Sequence, residues 1–188
     1  DSLFYRLFQT LPQLLFDLIA QPALDASRYH VASVELKQTA FRIDGIFLPP
    51  AGQPAWPLFF VEVQFQKDLE LYSRVFAEVF LYLRQQRPVH PWRAVVLYPT
   101  RALDPGAHPH YDVLLQSAQV TRVYLDEWAQ PRQTLMQRVI GVLLSPPLQA
   151  MGEAHTLLAQ LRQMDAMDTA QAEALVNVVE TILVGRIC

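Results

Sequence analysis

Three polar residues stand in strand-like segments that are otherwise mostly apolar: Asp44 in FRIDGIFL (41–48), and Glu62 and Gln64 in LFFVEVQFQ (58–66). Side chains of an extended segment alternate between two faces. Arg42, Asp44, Ile46 and Leu48 therefore fall on one face of the first segment, and Leu58, Phe60, Glu62, Gln64 and Gln66 on one face of the second. The opposite faces, Phe41, Ile43, Phe47 and Phe59, Val61, Val63, Phe65, are apolar apart from Gly45 and are expected to look into the core. An antiparallel pairing then gives Asp44, Glu62 and Gln64 a common face, with cross-strand neighbours about 5 Å apart at Cβ. Two carboxylates at that distance repel unless a cation sits between them. Mg²⁺ takes oxygen ligands at about 2.1 Å and keeps several waters. So held, it polarises a phosphoryl oxygen and makes a bound water nucleophilic at neutral pH. Gln64 could hydrogen-bond that water or a phosphate oxygen. The plain alternative is a strand face turned to water, where Asp, Glu and Gln are ordinary.

The elements that must position these residues follow from periodicity. Apolar residues at three- and four-residue steps predict a helix over 3–20, kinked at Pro12 and closed by Gln21-Pro22. Strands are expected at 29–37, 40–48 and 58–66, the last two joined by the irregular PPAGQPAWP (49–57). Asp68 reads as the N-cap of a helix over 69–86 with Leu69, Tyr72, Phe76, Val79, Phe80 and Leu83 on its apolar face, stopped by Pro88 and Pro91. RAVVLYP (93–99) is short and nearly all apolar, as for a strand covered on both faces. VTRVYLDE (120–127) reads as another strand. Helices follow at 133–144 and, after a capping-box pattern at Asp168, over the last residues. The order is that of an α/β protein with a mixed sheet. Ser145-Pro146-Pro147 offers a place to divide the core from a C-terminal helical tail.

The chain has 188 residues, 52% hydrophobic and 18% charged, enough for one domain with a buried core. A single cysteine, Cys188, excludes an internal disulfide. The start carries Asp1, Arg6 and Asp17 within its apolar pattern and does not read as a signal peptide. No apolar run reaches bilayer-spanning length, and the expected setting is the cytoplasm, without a membrane. The first residue is not Met, which reads as a fragment or a trimmed chain. A net charge of −3 argues against strong non-specific nucleic-acid binding. Arg84, Arg87, Arg93 and Arg101 concentrate in one stretch that reads as a solvated helix end and loop. His108, His110 and Asp112 lack the companions of a transition-metal site. Trp56, Trp92 and Trp128 read as packing.

The runs ELKQTAFRIDGIFLPP (35–50) and PLFFVEVQFQKDLELYSRVFAEVFLYLRQ (57–85) resemble the PD-(D/E)xK nuclease superfamily. More closely, they resemble the recombination-promoting nuclease/transposase group, in a cyanobacterial branch of uncharacterised-domain proteins. The resemblance covers residues 1–130 and implies a restriction-endonuclease-like core there, with 131–188 as a helical C-terminal extension. It implies Asp44 at the acidic position of the second core strand, and Glu62 and Gln64 at the paired positions of the third. Mg²⁺ or Mn²⁺ would be the cofactor, bound by Asp44 and Glu62, and DNA the partner. The superfamily's common Lys is Gln64 here, so an ammonium is missing; the closer group commonly carries Gln. No Pro stands before Asp44. Asp17 is the candidate for a further acid that many members place on the first helix, against the plain reading of a solvated helix residue. Arg74 and Tyr82 stand where the closer group tends to carry Arg and Tyr. Arg74 could bind phosphate or pair with Glu70 or Glu78 at four-residue spacing.

Glu35, in phase with Val31, Ser33 and Lys37, and Gln66, which extends the polar face, complete the supporting candidates. The expected function is a Mg²⁺-dependent DNA endonuclease related to mobile-element nucleases, with pairing of two copies through apolar helical faces. The competing expectations are a nuclease fold retired into an interaction or assembly module, and a structural domain with a wet strand face.

Overall fold

Alternating and continuous apolar runs become five strands, and three- and four-residue periodicity becomes helices on both sides of them. The computed structural model describes residues 2–21, 25–35, 42–161, 176–177 and 179–180, with backbone alone at 2, 33–35, 42–44 and 161. One sheet has the order β1 (His30–Glu35), β2 (Arg42–Leu48), β3 (Leu58–Val63), β4 (Trp92–Tyr98), β5 (Val120–Tyr124). β1, β2 and β3 pair antiparallel, whereas β3, β4 and β5 run parallel. The mixed sheet and the antiparallel β2–β3 hairpin agree with the sequence expectation.

Two hydrophobic layers sandwich the sheet. Phe47, Phe59, Val61, Val63, Val95, Leu97 and Val123 pack on the helices α1 (Ser2–Thr10) and α2 (Gln13–Leu18), whose break falls at Leu11-Pro12. The same layer receives Val139 and Ile140 of α6 (Leu135–Leu144) and Ala154 and Leu157 of α7 (Pro147–Leu161). The segment beyond residue 131 thus shares a core with the first helices. On the other side Ile46, Leu58, Phe60, Ala94, Val96 and Tyr98 pack under α3 (Leu71–Gln86). Every residue of β3 is buried, and β4 is buried from Ala94 to Tyr98. The face of β3 that carries Glu62 is therefore covered by a helix and not turned to water.

Several boundaries differ from the sequence reading. β3 ends at Val63, although the Gln64 N–H still donates to the Leu97 carbonyl at 2.9 Å. The Asp68 carboxylate accepts the Glu70 N–H at 2.9 Å, capping a turn that delays α3 until Leu71. The buried stripe of α3 is Leu71, Tyr72, Val75, Phe76, Glu78, Val79 and Tyr82, while Leu69 and Phe80 are exposed. α3 closes at Arg87, which adopts a left-handed backbone (φ 46°) just before Pro88. β5 stops at Tyr124 and turns directly into α5 (Leu125–Trp128). Two short elements connect β4 to β5, a 3₁₀ turn at Arg101–Leu103 and α4 (Asp112–Leu115). The final helix expected from Asp168 lies largely outside the described residues; within it Val179 is buried in the α1/α2 layer. Among the described residues no helix is long and apolar enough to cross a membrane.

The loop after β4 is fastened to the sheet by Asp104, whose side chain is 5% exposed. Its carboxylate accepts from the Tyr72 hydroxyl at 2.7 Å, the Tyr124 hydroxyl at 2.6 Å and the Gly106 N–H at 2.8 Å. Arg122 adds an ion pair at 3.2 Å. Burial pushes the carboxyl upward, but these donors outweigh it and hold the group below its ordinary value. A depressed carboxyl stabilises the fold above its unfolded-state value, near 4. That stabilisation is lost as pH falls through the folded-state value. Asp104→Asn is expected to cost about 2 kcal/mol at pH 7 and to flatten the acid limb of the stability curve, measured by urea unfolding between pH 7 and pH 3.

Candidate functional site

Glu62 sits in β3, one residue before the strand ends, and points to the layer under α3 with 7% of its surface exposed. A carboxylate in an apolar layer requires compensation. Arg74, one turn into α3, supplies it: Nη1 donates to Glu62 Oε1 at 2.6 Å. The other terminal nitrogen of Arg74 reaches Asp68 Oδ2 at 3.3 Å and Gln64 Oε1 at 3.4 Å. Gln64 also donates its amide N–H to the Gln66 carbonyl. Burial pulls the Arg74 guanidinium down, and the Glu62 charge, hydrogen bonds to Glu62 and Asp68, and the Glu78 charge more than offset it, so its pKa is raised. Glu78, one turn further along α3, is 3% exposed. It lines a small cavity with Glu62, Phe60, Val75 and Val79.

Other candidates are distributed less evenly. Asp44 lies in β2; its side chain, like that of Glu35 at the end of β1, falls outside what is described. The backbone at Asp44 is distinctive. The β1–β2 register runs His30↔Leu48 to Ala32↔Ile46 and resumes at Val34↔Ile43. The shift leaves Asp44 and Gly45 on the longer side of a β-bulge. Strict alternation from Ile46 back to Arg42, assumed in the sequence reading, does not run through a bulge, which re-aims side chains. β2 pairs with β3 as far as Gly45↔Val61.

Asp17 does not belong with Glu62. It is exposed on α2, which packs on the opposite layer of the sheet, and it accepts from Gln13 Nε2 at 3.0 Å. Gln66 is exposed and meets Gln64 through its carbonyl. Arg74 pairs with Glu62 and Asp68 rather than Glu70, because α3 begins at Leu71 and its first turn faces the end of β3. Tyr82 is buried, edge-to-face with Phe60 at 5.3 Å. Arg101, grouped with the basic stretch, instead chelates Glu127 at 2.8 and 2.9 Å and covers the Tyr124 ring. Trp56 stacks on Tyr29, and Trp92 packs against Phe60 and Phe80.

Two site residues escaped the sequence reading as site members. Asp68 reads from the sequence only as a cap. Glu78 reads as a surface partner of Arg74, although its spacing from Leu71, Val75 and Tyr82 sets it on the buried stripe of α3. The Glu62 and Gln64 side chains offer oxygen donors of the kind Mg²⁺ or Mn²⁺ prefers. Among the described residues no three His, Cys, Asp or Glu side chains group closely enough to hold a metal by themselves.

The chain matches the family described as "Protein of unknown function (DUF2887)" over residues 1–188. It belongs to that family. No curated protein and no solved structure gives a significant match.

The pair is only half-buried, because the Arg74 side chain is 33% exposed while that of Glu62 is 9% exposed. Leu at position 62 would extend the apolar row of Leu58 and Phe60 against Val75 and Val79, and Arg74 would keep Asp68 as a partner. Glu62→Leu is expected to change unfolding free energy by no more than about 1 kcal/mol, whereas Phe60→Ala should cost about 3–5 kcal/mol. Paired urea-unfolding curves check both.

Proposed function

We propose that this DUF2887 protein is a Mg²⁺-dependent DNA endonuclease that hydrolyses phosphodiester bonds, with Asp44 and Glu62 as metal ligands and Gln64 as the group that positions water. The observation that carries the reading is the buried Glu62 carboxylate beside Gln64, at the end of a central strand whose other five residues are apolar. β2 pairs with β3 as far as Gly45↔Val61, the neighbours in sequence of Asp44 and Glu62, and the bulge at that point is a device often found beside active sites. Residues at the carboxyl ends of parallel strands are also where open α/β sheets hold their ligands. The mobile-element and recombination relationship, and pairing of two copies through the C-terminal helices, belong to the same proposal.

Each residue has a defined task. Glu62, fixed by β3 and covered by α3, is held with little freedom to move, which favours a preorganised ligand. Gln64, one pleat further and half-buried, offers both an acceptor and a donor to a water approaching phosphorus. The apolar layer of Phe60, Val75 and Val79 keeps bulk water from behind the carboxylate, strengthening its attraction for a cation. A bound divalent ion would supply Lewis-acid polarisation of the phosphate.

The second reading, a nuclease fold kept as an assembly module, is favoured by the short Arg74–Glu62 pair, which satisfies the carboxylate without a metal. The two readings separate on cleavage. Purified protein should nick supercoiled plasmid with Mg²⁺ or Mn²⁺, and Asp44→Ala and Glu62→Ala should each lower the rate at least about 100-fold. No nicking across several metals and salt concentrations would favour the module.

A further inference from the structure

Arg74 joins groups of different exposure. Its own side chain is 33% exposed, that of Asp68 is 32% exposed, and that of Glu62 only 9%. The carboxylate is thus fixed in the interior while the guanidinium reaches it from the solvent side. Asp68 is itself anchored, since its Oδ1 accepts the Glu70 N–H at 2.9 Å while its Oδ2 faces Arg74. A guanidinium carries five N–H donors in a planar fork. It can therefore leave Glu62 and remain paired with Asp68. Gln64, 3.4 Å from the same nitrogen that meets Asp68, carries no charge and cannot itself neutralise a phosphate.

We infer that Arg74 is an exchangeable counter-ion: it holds Glu62 until a divalent cation binds, then turns onto Asp68 and offers its freed N–H donors to a backbone phosphate of the nucleic acid. This rests on the reading of Glu62 as a metal ligand. A divalent cation at Glu62 would repel the guanidinium and compete for the oxygen that Arg74 now holds. Once displaced, Arg74 stands at the rim of the site, where a planar fork suits two phosphate oxygens better than a point charge does.

Calorimetric Mn²⁺ titration of the full chain tests the exchange. Arg74→Gln removes the competitor and should bind Mn²⁺ about 5–10 times more tightly than wild type. Asp68→Asn removes the charge that receives the released guanidinium and should bind Mn²⁺ about 3–5 times more weakly. Glu70→Gln makes the same charge change on an exposed neighbour and should stay within about twofold. In Ca²⁺, with a short DNA duplex as probe, Arg74→Gln should bind DNA about tenfold more weakly despite its tighter metal; a purely structural Arg74 would weaken both. Arg74→Gln binding Mn²⁺ no more tightly than wild type overturns the exchange and leaves the metal site standing. Asp68→Asn matching Glu70→Gln also overturns it, and decides the matter if Arg74→Gln fails to fold. Absence of Mn²⁺ binding by wild type overturns the metal reading and the exchange together.

Discussion

A carboxylate buried beneath a helix is the constraint on which the arrangement of the candidate site depends. Glu62 occupies a position that a Leu or Val would fill at no electrostatic cost, and the chain compensates with Arg74 at 2.6 Å. That compensation depends on the phase of α3: the turn capped by Asp68 starts the helix at Leu71, which brings Arg74 over the end of β3.

The sheet supplies the rigidity this arrangement needs. β3 lies in the middle, antiparallel to β2 and parallel to β4, with apolar layers on both faces. Parallel pairing brings the ends of β3, β4 and β5 to one edge, so Glu62, Tyr98 and Tyr124 belong to the same end of the sheet. Asp104 fastens the loop there through two tyrosine hydroxyls and Arg122. Burial and the Asp104 hydrogen bond push the Tyr124 phenol up to about 12, so it remains a donor throughout the physiological range. Polar contacts along this edge thus fix the frame beside the candidate site, while the other layer, built from α1, α2, α6 and α7, is mainly aliphatic and aromatic packing.

Much of the frame was legible in the residues. The alternation in 58–66 and the apolar run 93–99 gave β3 and β4 because their periods are short and unbroken. Pro12 and Pro88 marked real breaks, since neither can donate a helical hydrogen bond. The covering of Glu62 was not legible: Leu58 and Phe60 on its face suit a half-wet strand as well as a buried one. The stripe of α3 was misphased because Leu69 and Phe80 are apolar yet exposed, whereas Glu78 is charged yet buried. Spacing rules offered Glu70 and Glu78 as partners for Arg74, but tertiary structure brought Glu62 and Asp68. The Asp104 network joins residues up to 32 positions apart and leaves no local signature. The bulge at Asp44-Gly45 likewise depends on pairing with β1.

The central claim is that Asp44 and Glu62 share one divalent cation. A crystal structure of the protein grown with Mn²⁺, with anomalous scattering collected at the manganese edge, tests it most directly. The account predicts an anomalous peak within coordination distance of both carboxylates, with the Arg74 guanidinium moved toward Asp68. An Asp44 carboxylate directed away from Glu62, with no peak between them and the Arg74–Glu62 pair intact, would contradict it.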